Sequence, residues 1–318
     1  MTNKRDLRIV FMGTPDFAVA TLKSLLVYGY KVVGVITAPD RPAGRGQKLQ
    51  SSAVKDFAVK AGLTILQPKN LKSEGFLREL EALKANLQIV VAFRMLPEVV
   101  WKLPEYGTFN LHASLLPDYR GAAPIHWAII NGETQTGVTT FFIDEKIDTG
   151  EIILSERIAI GPDETVGHLH DRLMTLGSAL VIETVKRIEH STVRTMPQPT
   201  TKDLKTAHKL HKDNCKIDWQ LHLDTIYNKI RGLNPFPTAW CYLENNDIKE
   251  PIKLYGCDKV KEPHNYESGS IHINDKSIFV ACKGGYIKVL ELQLPNKRKM
   301  DTKSLLNGYD FGADAKML

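Results

Sequence analysis

An asparagine and a histidine, Asn110 and His112, stand two positions apart near the end of an apolar run. On a β-strand such residues point to the same face, and open α/β sheets place their sites at the carboxyl ends of strands. An amide can donate a hydrogen bond to a developing oxyanion, and an imidazole can move a proton near neutral pH. The pair indicates acyl-transfer chemistry; the alternative is two satisfied polar groups beside a turn.

An acidic segment at 144–151 links two later strand-like runs. A carboxylate delivered to His112 would orient its ring and favour its cationic form. Asp144 and Asp148 are both candidates, and spacing does not choose between them. The other interpretation of the segment is a charged turn.

A long Gly/Pro/Arg-rich loop at 37–48 contains Arg41, Arg45 and Lys48 but one acid, Asp40. Long loops inside a compact domain are often functional. A basic loop of this kind could bind phosphate or the end of a nucleic acid. The alternative is a solvated surface loop.

The elements that must position these residues follow from hydrophobic periodicity. Short apolar runs alternate with helical patterns over the first half of the chain, which predicts a mostly parallel sheet with helices on both faces. Predicted strands include 7–13, 31–37, 63–68, 87–93, 107–114, 138–144 and 151–160, the last two antiparallel to each other. A long amphipathic helix is predicted to end this domain near residue 190.

The remainder of the chain has a different character. Residues 191–208 are polar, contain two prolines and lack periodicity, which predicts a linker. Beyond a short helix at 224–233, brief β-rich runs separated by polar turns predict a small barrel or sandwich. We therefore predict domains at 1–190 and 209–318, joined by a linker at 191–208.

Charge and cysteine content narrow the functional class. The chain of 318 residues has a formal net charge of +6, of which residues 191–318 contribute +5. This excess favours a polyanionic partner such as nucleic acid, against the alternative of an ordinary solvated surface.

The four cysteines show no zinc or redox spacing and are expected to be reduced. Scattered histidines predict no metal site, and the first apolar run is too short for a signal or a membrane span, so we expect a cytoplasmic protein.

A nicotinamide-dependent oxidoreductase is a rival class. Gly13 follows the first strand in Gly-Thr-Pro-Asp, but it stands alone and does not form GxGxxG. A non-catalytic nucleic-acid-binding protein is the rival outside the enzymes, and it would leave Asn110 and His112 without a catalytic role. Acyl transfer to a small amine, or hydrolysis of the acyl donor, would not need the basic second domain.

Five segments carry a resemblance to a known family over essentially the whole chain. They are RIVFMGTPDFA, TAPDRPAGRGQKL, FNLHASLLPDYRGAAPIHWAIINGE, TGVTTFFIDEKIDTGEII and RGLNPFPTAW. The Asn-x-His…SLLP…D-x-G combination resembles the folate-dependent formyltransferases. The PDRPAGRG loop and the second domain resemble the branch of that family that formylates methionyl initiator tRNA.

This resemblance implies a Rossmann-like first domain, an OB-like all-β barrel as the second, and 10-formyltetrahydrofolate as donor. It implies a catalytic set of Asn110, His112 and Asp148, with Asp148 in the D-T-G position. The implied folate site comprises Ser114, Leu115, Leu116 and Pro117, with Phe93, Met95 and Leu96 around the pterin. Arg41, Arg45 and Lys48 would contact tRNA. We expect a monomer that uses no metal and binds no membrane.

The chain departs from the family pattern at five positions. Arg94 replaces a common glycine, Ala113 a proline, and Asp118 a basic residue, while His126 and Trp127 stand where Gln-Arg is common. The catalytic set is retained, so these changes do not affect the expected chemistry. The lost basic side chains at 118 and 127 remove any tRNA contact expected there.

Overall fold

A computed structural model describes residues 4–43, 48–199 and 203–318. The chain divides into two compact units. The first comprises residues 1–121, 137–158 and 170–205, and the second comprises 122–136, 159–169 and 206–318. Two segments from within the predicted first domain thus belong to the second compact unit.

Strands β1 to β10 and helices α1 to α6 occupy the chain up to residue 189. The strands are β1 (Arg8–Gly13), β2 (Lys31–Ile36), β3 (Arg41–Ala43), β4 (Lys48–Gln50), β5 (Ile65–Leu66), β6 (Leu87–Val91), β7 (Thr108–His112), β8 (Arg120–Gly121), β9 (Gln135–Phe142) and β10 (Ile152–Ala159). The helices are α1 (Asp16–Val27), α2 (Ala53–Lys60), α3 (Glu74–Ala82), α4 (Glu98–Trp101), α5 (Pro124–Ile130) and α6 (Val166–Glu189).

The main sheet of the first unit has seven strands in the order β10-β9-β7-β6-β1-β2-β5. The five strands from β7 to β5 pair in parallel, and β9 runs antiparallel to β7. Backbone hydrogen bonds from residue 142 to 151 and from 160 to 134 show that β9 and β10 are antiparallel. The predicted Rossmann-like α/β domain is confirmed, as is the antiparallel final pair.

Helices cover both faces of this sheet because its strands are apolar on both sides. On one face Val90 of β6 and Val10 of β1 pack with Phe76 and Leu80 of α3. On the other face α6 approaches β7 so closely that a Cβ on Gly177 would lie 2.8 Å from Leu111 Cδ2. Since side chains alternate along a strand, Asn110 and His112 lie on the face opposite to Leu111.

The second unit is built around a curled antiparallel sheet. Its elements are β11 (Thr206–Ala207), a 3₁₀ turn (Asp213–Cys215), α7 (Leu223–Gly232), β12 (Ala239–Asn245), β13 (Ile248–Val260), β14 (Ile271–Asn274), β15 (Ser277–Cys282), β16 (Gly285–Gln293), β17 (Met300–Asp301), α8 (Thr302–Leu306) and β18 (Lys316–Met317). The strand order is β14-β15-β16-β13-β12-β18, with β17 paired to β16. Alternating inward residues such as Leu243, Leu254 and Val289 form the core with Ile226 and Ile230 of α7. The predicted barrel-like second domain is confirmed.

The second unit also takes in residues from earlier in the chain through polar contacts. Tyr227 of α7 donates its hydroxyl to Asp163 Oδ1 at 2.7 Å, and Arg231 donates to the Glu164 carbonyl at 2.9 Å. A Cβ on Gly232 would lie 2.8 Å from Ile130 Cγ1, so α7 and α5 pack closely. In the described part of the chain, no helix is both long and apolar enough to cross a bilayer.

Candidate active site

Strand β7 places Asn110 and His112 in the middle of the first sheet. Asn110 is in register with Val90 of β6 and Phe141 of β9, and His112 with Thr139 of β9. His112 is 6% exposed, whereas Asn110 is half-buried. Across the described ranges the Asn110 amide has no hydrogen-bond partner, so its donors are available to a ligand.

The imidazole of His112 lies between two oxygen acceptors. Its Nε2 is 2.8 Å from the Tyr119 carbonyl, and its Nδ1 is 3.8 Å from Asp148 Oδ2. A carbonyl only accepts, so Nε2 carries a hydrogen. The 3.8 Å gap is longer than a direct hydrogen bond, and catalytic contacts of this kind commonly shorten when substrate binds.

Asp148, rather than Asp144, is the acid beside His112. The Gly121 amide donates to Asp148 Oδ2 at 2.9 Å, which fixes the carboxylate. Asp144 instead accepts from the Thr149 hydroxyl at 2.7 Å and from the Lys146 amide at 3.1 Å, so it closes its own turn. The geometry therefore separates two acids that spacing alone left equivalent.

The path of the acidic segment explains why it contains a glycine, Gly150, in its D-T-G motif. A Cβ at this position would lie 1.7 Å from the Phe142 carbonyl oxygen, far inside van der Waals contact. Glycine therefore allows the segment to pass directly against the end of β9. The close approach holds Asp148 beside β7, with which β9 pairs.

The Ser114–Pro117 stretch leaves β7 and is tied back to the sheet by Thr139. The Thr139 hydroxyl donates to the Ser114 carbonyl at 2.7 Å and accepts from the Leu116 amide at 3.2 Å. The Ser114 hydroxyl donates to the Asp118 carbonyl at 2.6 Å. Sequence reasoning did not single out Thr139, because β9 contains three threonines, all of them buried, and the sequence does not show which one binds the loop.

The 93–96 stretch follows β6, whose end lies beside the end of β7. Leu96 is buried in the apolar core with Phe93 packed against it. Met95 is 67% exposed, so of these three predicted folate contacts it is the side chain most open to a ligand. Arg94 donates to the carbonyls of Lys69 and Pro68, which gives this departure from the family pattern a structural role.

The basic loop begins as a hairpin anchored at Asp40. Lys55 Nζ and Gln67 Nε2 donate to the Asp40 carboxylate at 2.5 and 2.9 Å. These hydrogen bonds hold the pKa of Asp40 below its ordinary value. Arg41 is exposed at the start of β3. The pKa of Arg94 is lowered mainly by the burial of Arg94 itself and, second, by the positive charge of Arg41. Arg41 therefore lies near the end of β6.

The other two predicted tRNA contacts fall outside what can be described. Arg45 lies outside the described residues, and so does the side chain of Lys48. The backbone of Lys48 pairs with Ala43, so β3 and β4 form the two arms of the hairpin. Sequence periodicity did not predict these strands because each has only three residues.

Three further departures from the family pattern also have structural partners. Asp118 accepts from the Lys205 amide at 3.1 Å. Trp127 donates its indole N–H to the His208 carbonyl at 2.7 Å, and His126 Nε2 lies 3.2 Å from the Phe236 carbonyl. Among the described residues, no group of three or more His, Cys, Asp or Glu side chains could hold a metal ion.

Comparison with known proteins identifies the family of both units. Residues 7–185 match the formyl transferase family model, and residues 209–310 match the model of the formyl transferase C-terminal domain. The methionyl-tRNA formyltransferase of Flavobacterium johnsoniae is 60% identical over 98% of this chain and 99% of the relative. That of Porphyromonas gingivalis is 46% identical, with 98% of each chain covered.

Solved structures share the fold at lower identity. WlaRD, a sugar 3N-formyl transferase crystallised with dTDP and 5-N-formyl-THF, gives a TM-score of 0.63 at 20% identity over 92% of this chain and all of that chain. The N-formyltransferase of Helicobacter canadensis, in complex with folinic acid and dTDP-3-aminofucose, gives 0.65 at 19% identity with the same coverage. The chain belongs to the formyl transferase family and, within it, to the methionyl-tRNA formyltransferases.

Proposed function

We propose that this chain transfers a formyl group from 10-formyltetrahydrofolate to the free amino group of methionyl initiator tRNA, giving N-formylmethionyl-tRNA. The observation that carries the proposal is the meeting of Asn110, His112 and Asp148 at the carboxyl end of β7. Relatives that share 46–60% of their residues with nearly the whole chain are methionyl-tRNA formyltransferases, which supports the same donor and acceptor.

The reaction requires attack of the amine on the formyl carbon. As the new C–N bond forms, the carbonyl electrons move onto oxygen; the bond to N10 of the folate then breaks, the carbonyl re-forms, and a proton passes from the amine to N10. The Asn110 amide is the donor best suited to the oxyanion because its hydrogens have no partner among the described residues.

His112 is assigned the proton transfer, with Asp148 orienting its ring. Nε2 donates to the Tyr119 carbonyl, which restrains the ring. Nδ1 faces Asp148 at 3.8 Å without a direct hydrogen bond, so it is the nitrogen assigned to take the proton from the amine and pass it to N10. Restraint of a proton-transfer group lowers the entropic cost of reaching the reactive arrangement. Transfer of an already activated acyl group with these residues requires no metal.

The donor subsite is proposed to lie along the loops that follow β6 and β7. Ser114, Leu115, Leu116 and Pro117 would line one part of it, and Phe93, Met95 and Leu96 would surround the pterin. The Thr139 hydroxyl supports this assignment because it fixes the backbone at Ser114 and Leu116. A preorganised loop binds its ligand at a lower entropic cost.

Binding of tRNA is assigned to the basic hairpin and to the second domain. Arg41, Arg45 and Lys48 would contact the acceptor end, and the +5 net charge of residues 191–318 would attract the phosphate backbone. We assign residues 1–190 to catalysis, 191–208 to the linker and 209–318 to tRNA binding. The protein would work as a cytoplasmic monomer without a membrane partner.

Single-turnover formyl transfer tests the proposal. Enzyme in excess over radiolabelled 10-formyltetrahydrofolate would be mixed with methionyl initiator tRNA and free methionine as competing acceptors. We expect label on the tRNA alone. Label on free methionine would remove the role of the tRNA-binding parts, formate release without acceptor would indicate a hydrolase, and tRNA binding without turnover would leave a binding protein.

A further inference from the structure

The backbone at Asp148 adopts a conformation that a non-glycine residue rarely takes. Its φ of 55° lies in the left-handed region, which aspartate adopts more readily than most residues but which still depends on local hydrogen bonds. Such a conformation persists only where surrounding contacts hold it. The Gly121 amide holds the carboxylate of Asp148 but not its backbone, so another contact must hold the backbone.

The side-chain amide of Gln198 supplies that contact. Its Nε2 donates to the Asp148 carbonyl at 2.9 Å and to the Gly150 carbonyl at 2.8 Å. Its Oε1 accepts from Arg120, at 2.6 Å from Nη2 and 3.2 Å from Nε. An arginine only donates and a carbonyl only accepts, so these partners fix which end of the amide is nitrogen. All four hydrogen-bonding positions of the amide are used.

The segment that carries Gln198 is itself attached to the first sheet. Met196 exchanges two backbone hydrogen bonds with Ile152, at 2.8 and 2.9 Å, immediately after the acidic segment. Arg120 precedes Gly121, whose amide binds the Asp148 carboxylate. The dipeptide Arg120-Gly121 therefore holds Asp148 in two ways. The Gly121 amide binds the Asp148 carboxylate directly, and Arg120 binds the Gln198 side chain, which in turn binds the Asp148 carbonyl.

We propose that Gln198 is a positioning residue for the formyl-transfer site: it holds the 148–150 backbone so that the Asp148 carboxylate faces His112. The inference rests on the proposed function, because it assigns Gln198 to the same reaction. Gln198 touches no reacting atom in this assignment. Its effect reaches the chemistry through Asp148, so it should change kcat and leave substrate binding nearly unaltered.

Two substitutions separate the contacts of Gln198. Gln198→Glu keeps an acceptor for Arg120 but loses the hydrogens that bind the carbonyls of Asp148 and Gly150; Gln198→Ala loses both. We expect each to lower kcat by about 10- to 100-fold, the scale of a misplaced catalytic group, with KM for tRNA and for the folate donor within about twofold. Thr195→Ala is the matched control because it removes a contact from the same segment to Glu151 and none to Asp148.

The deciding measurement combines Gln198→Ala with Asp148→Asn. If Gln198 acts through Asp148, the double variant will have the kcat of Asp148→Asn alone, since a lost acid no longer needs positioning. Multiplied losses, or a Gln198→Ala enzyme with unchanged kcat, would overturn the inference. If circular dichroism shows that Gln198→Ala does not fold, Arg120→Met, which leaves Gln198 in place, would replace it in the same double-mutant cycle with Asp148→Asn. Wild-type enzyme that transfers no formyl group would overturn the proposed function instead.

Discussion

The backbone amide of Gly121 donates a hydrogen bond to Oδ2 of Asp148 at 2.9 Å. The same oxygen lies 3.8 Å from Nδ1 of His112, so one amide sets the position of the acid relative to the imidazole. Hydrogen bonds that involve an ionised group are stronger than neutral ones. The Asp148 carboxylate is therefore held in place without substrate. The expected effects of substituting Asn110 and His112 can then be stated one residue at a time.

Asn110→Ala should lower kcat by about 10²–10³, the usual cost of one lost oxyanion donor. KM should change little, because the hydrogen bond strengthens only as charge develops on the formyl oxygen. Steady-state formylation of methionyl initiator tRNA measures both constants. Asn110→Asp, which keeps the shape but loses the amide hydrogens, should show the same loss. Near wild-type kcat in both variants would remove Asn110 from the catalytic set.

His112→Ala should lower kcat by at least about 10², because proton transfer by a positioned group contributes about 10²–10⁴. Asp148→Asn should cost less, since the ring would remain in place with its Tyr119 contact. His190→Ala is the control: this histidine is exposed at the end of α6 and should leave the rate unchanged. If His112→Ala matched that control, another group would have to move the proton.

Local patterns in the sequence predicted the parts of this protein that depend on neighbouring residues. The period of two along β7 was enough to place Asn110 and His112 on one face, because strand geometry determines that relation. Periodicity could not predict that Asp148, rather than Asp144, lies beside His112. That placement depends on Gly121, which is 27 positions away in the chain, and periodicity carries no information about such contacts.

The contacts of Gln198 illustrate the same limit. A polar, proline-containing stretch without periodicity predicted a linker at 191–208, and composition alone allows nothing more. In the folded chain Gln198 binds a carbonyl 50 positions earlier. The resemblance to the formyltransferases supplied Asp148 from the D-T-G motif, but it did not indicate the residue that holds it.

Replacing Arg41 and Arg45 with alanine should weaken tRNA binding and flatten its salt dependence. Each lost phosphate contact should reduce the slope of log K against log [salt] by about 0.7–0.9. Filter binding of methionyl initiator tRNA between low and moderate salt measures the slope. Arg78→Ala, which removes an exposed arginine paired with Glu74 on α3, is the control. An unchanged slope in the double variant would exclude the hairpin from the tRNA-binding surface.

The Asp40 anchor of the hairpin should respond to acid. Hydrogen bonds from Lys55 and Gln67 lower the pKa of Asp40 in the folded protein, so the ionised carboxylate stabilises the fold above the unfolded pKa of about 3.9. That contribution is lost as pH falls through the lower folded pKa. Asp40→Asn should therefore reduce Tm at pH 7 and have a smaller effect near pH 3.

Differential scanning calorimetry at both pH values measures this difference. Asp247→Asn is the control, because Asp247 is exposed in the turn between β12 and β13 and its left-handed backbone suits asparagine. An Asp40→Asn defect of equal size at the two pH values would show that the charge of the carboxylate does not contribute, and that only the shape of the loop does.

The cysteine thiols should react slowly in the native protein. Cys215, Cys241 and Cys282 are buried and Cys257 is half-buried. Burial raises the pKa of Cys282 to about 11 and that of Cys241 to about 12. The thiolate is the reactive form, so at pH 8 its population at Cys282 is roughly two orders of magnitude below that of an ordinary thiol with a pKa of about 8.5.

Ellman's reagent at pH 8 should therefore show little release of thionitrobenzoate within minutes from the native enzyme. In guanidinium chloride all four thiols should react at once, because unfolding exposes them and restores their ordinary pKa values. Fewer than four reactive thiols after unfolding would indicate an oxidised pair and contradict the reduced state expected from their spacing. A rapid phase in the native protein would show that one of these thiols reaches solvent, and the half-buried Cys257 would be the first to replace with serine.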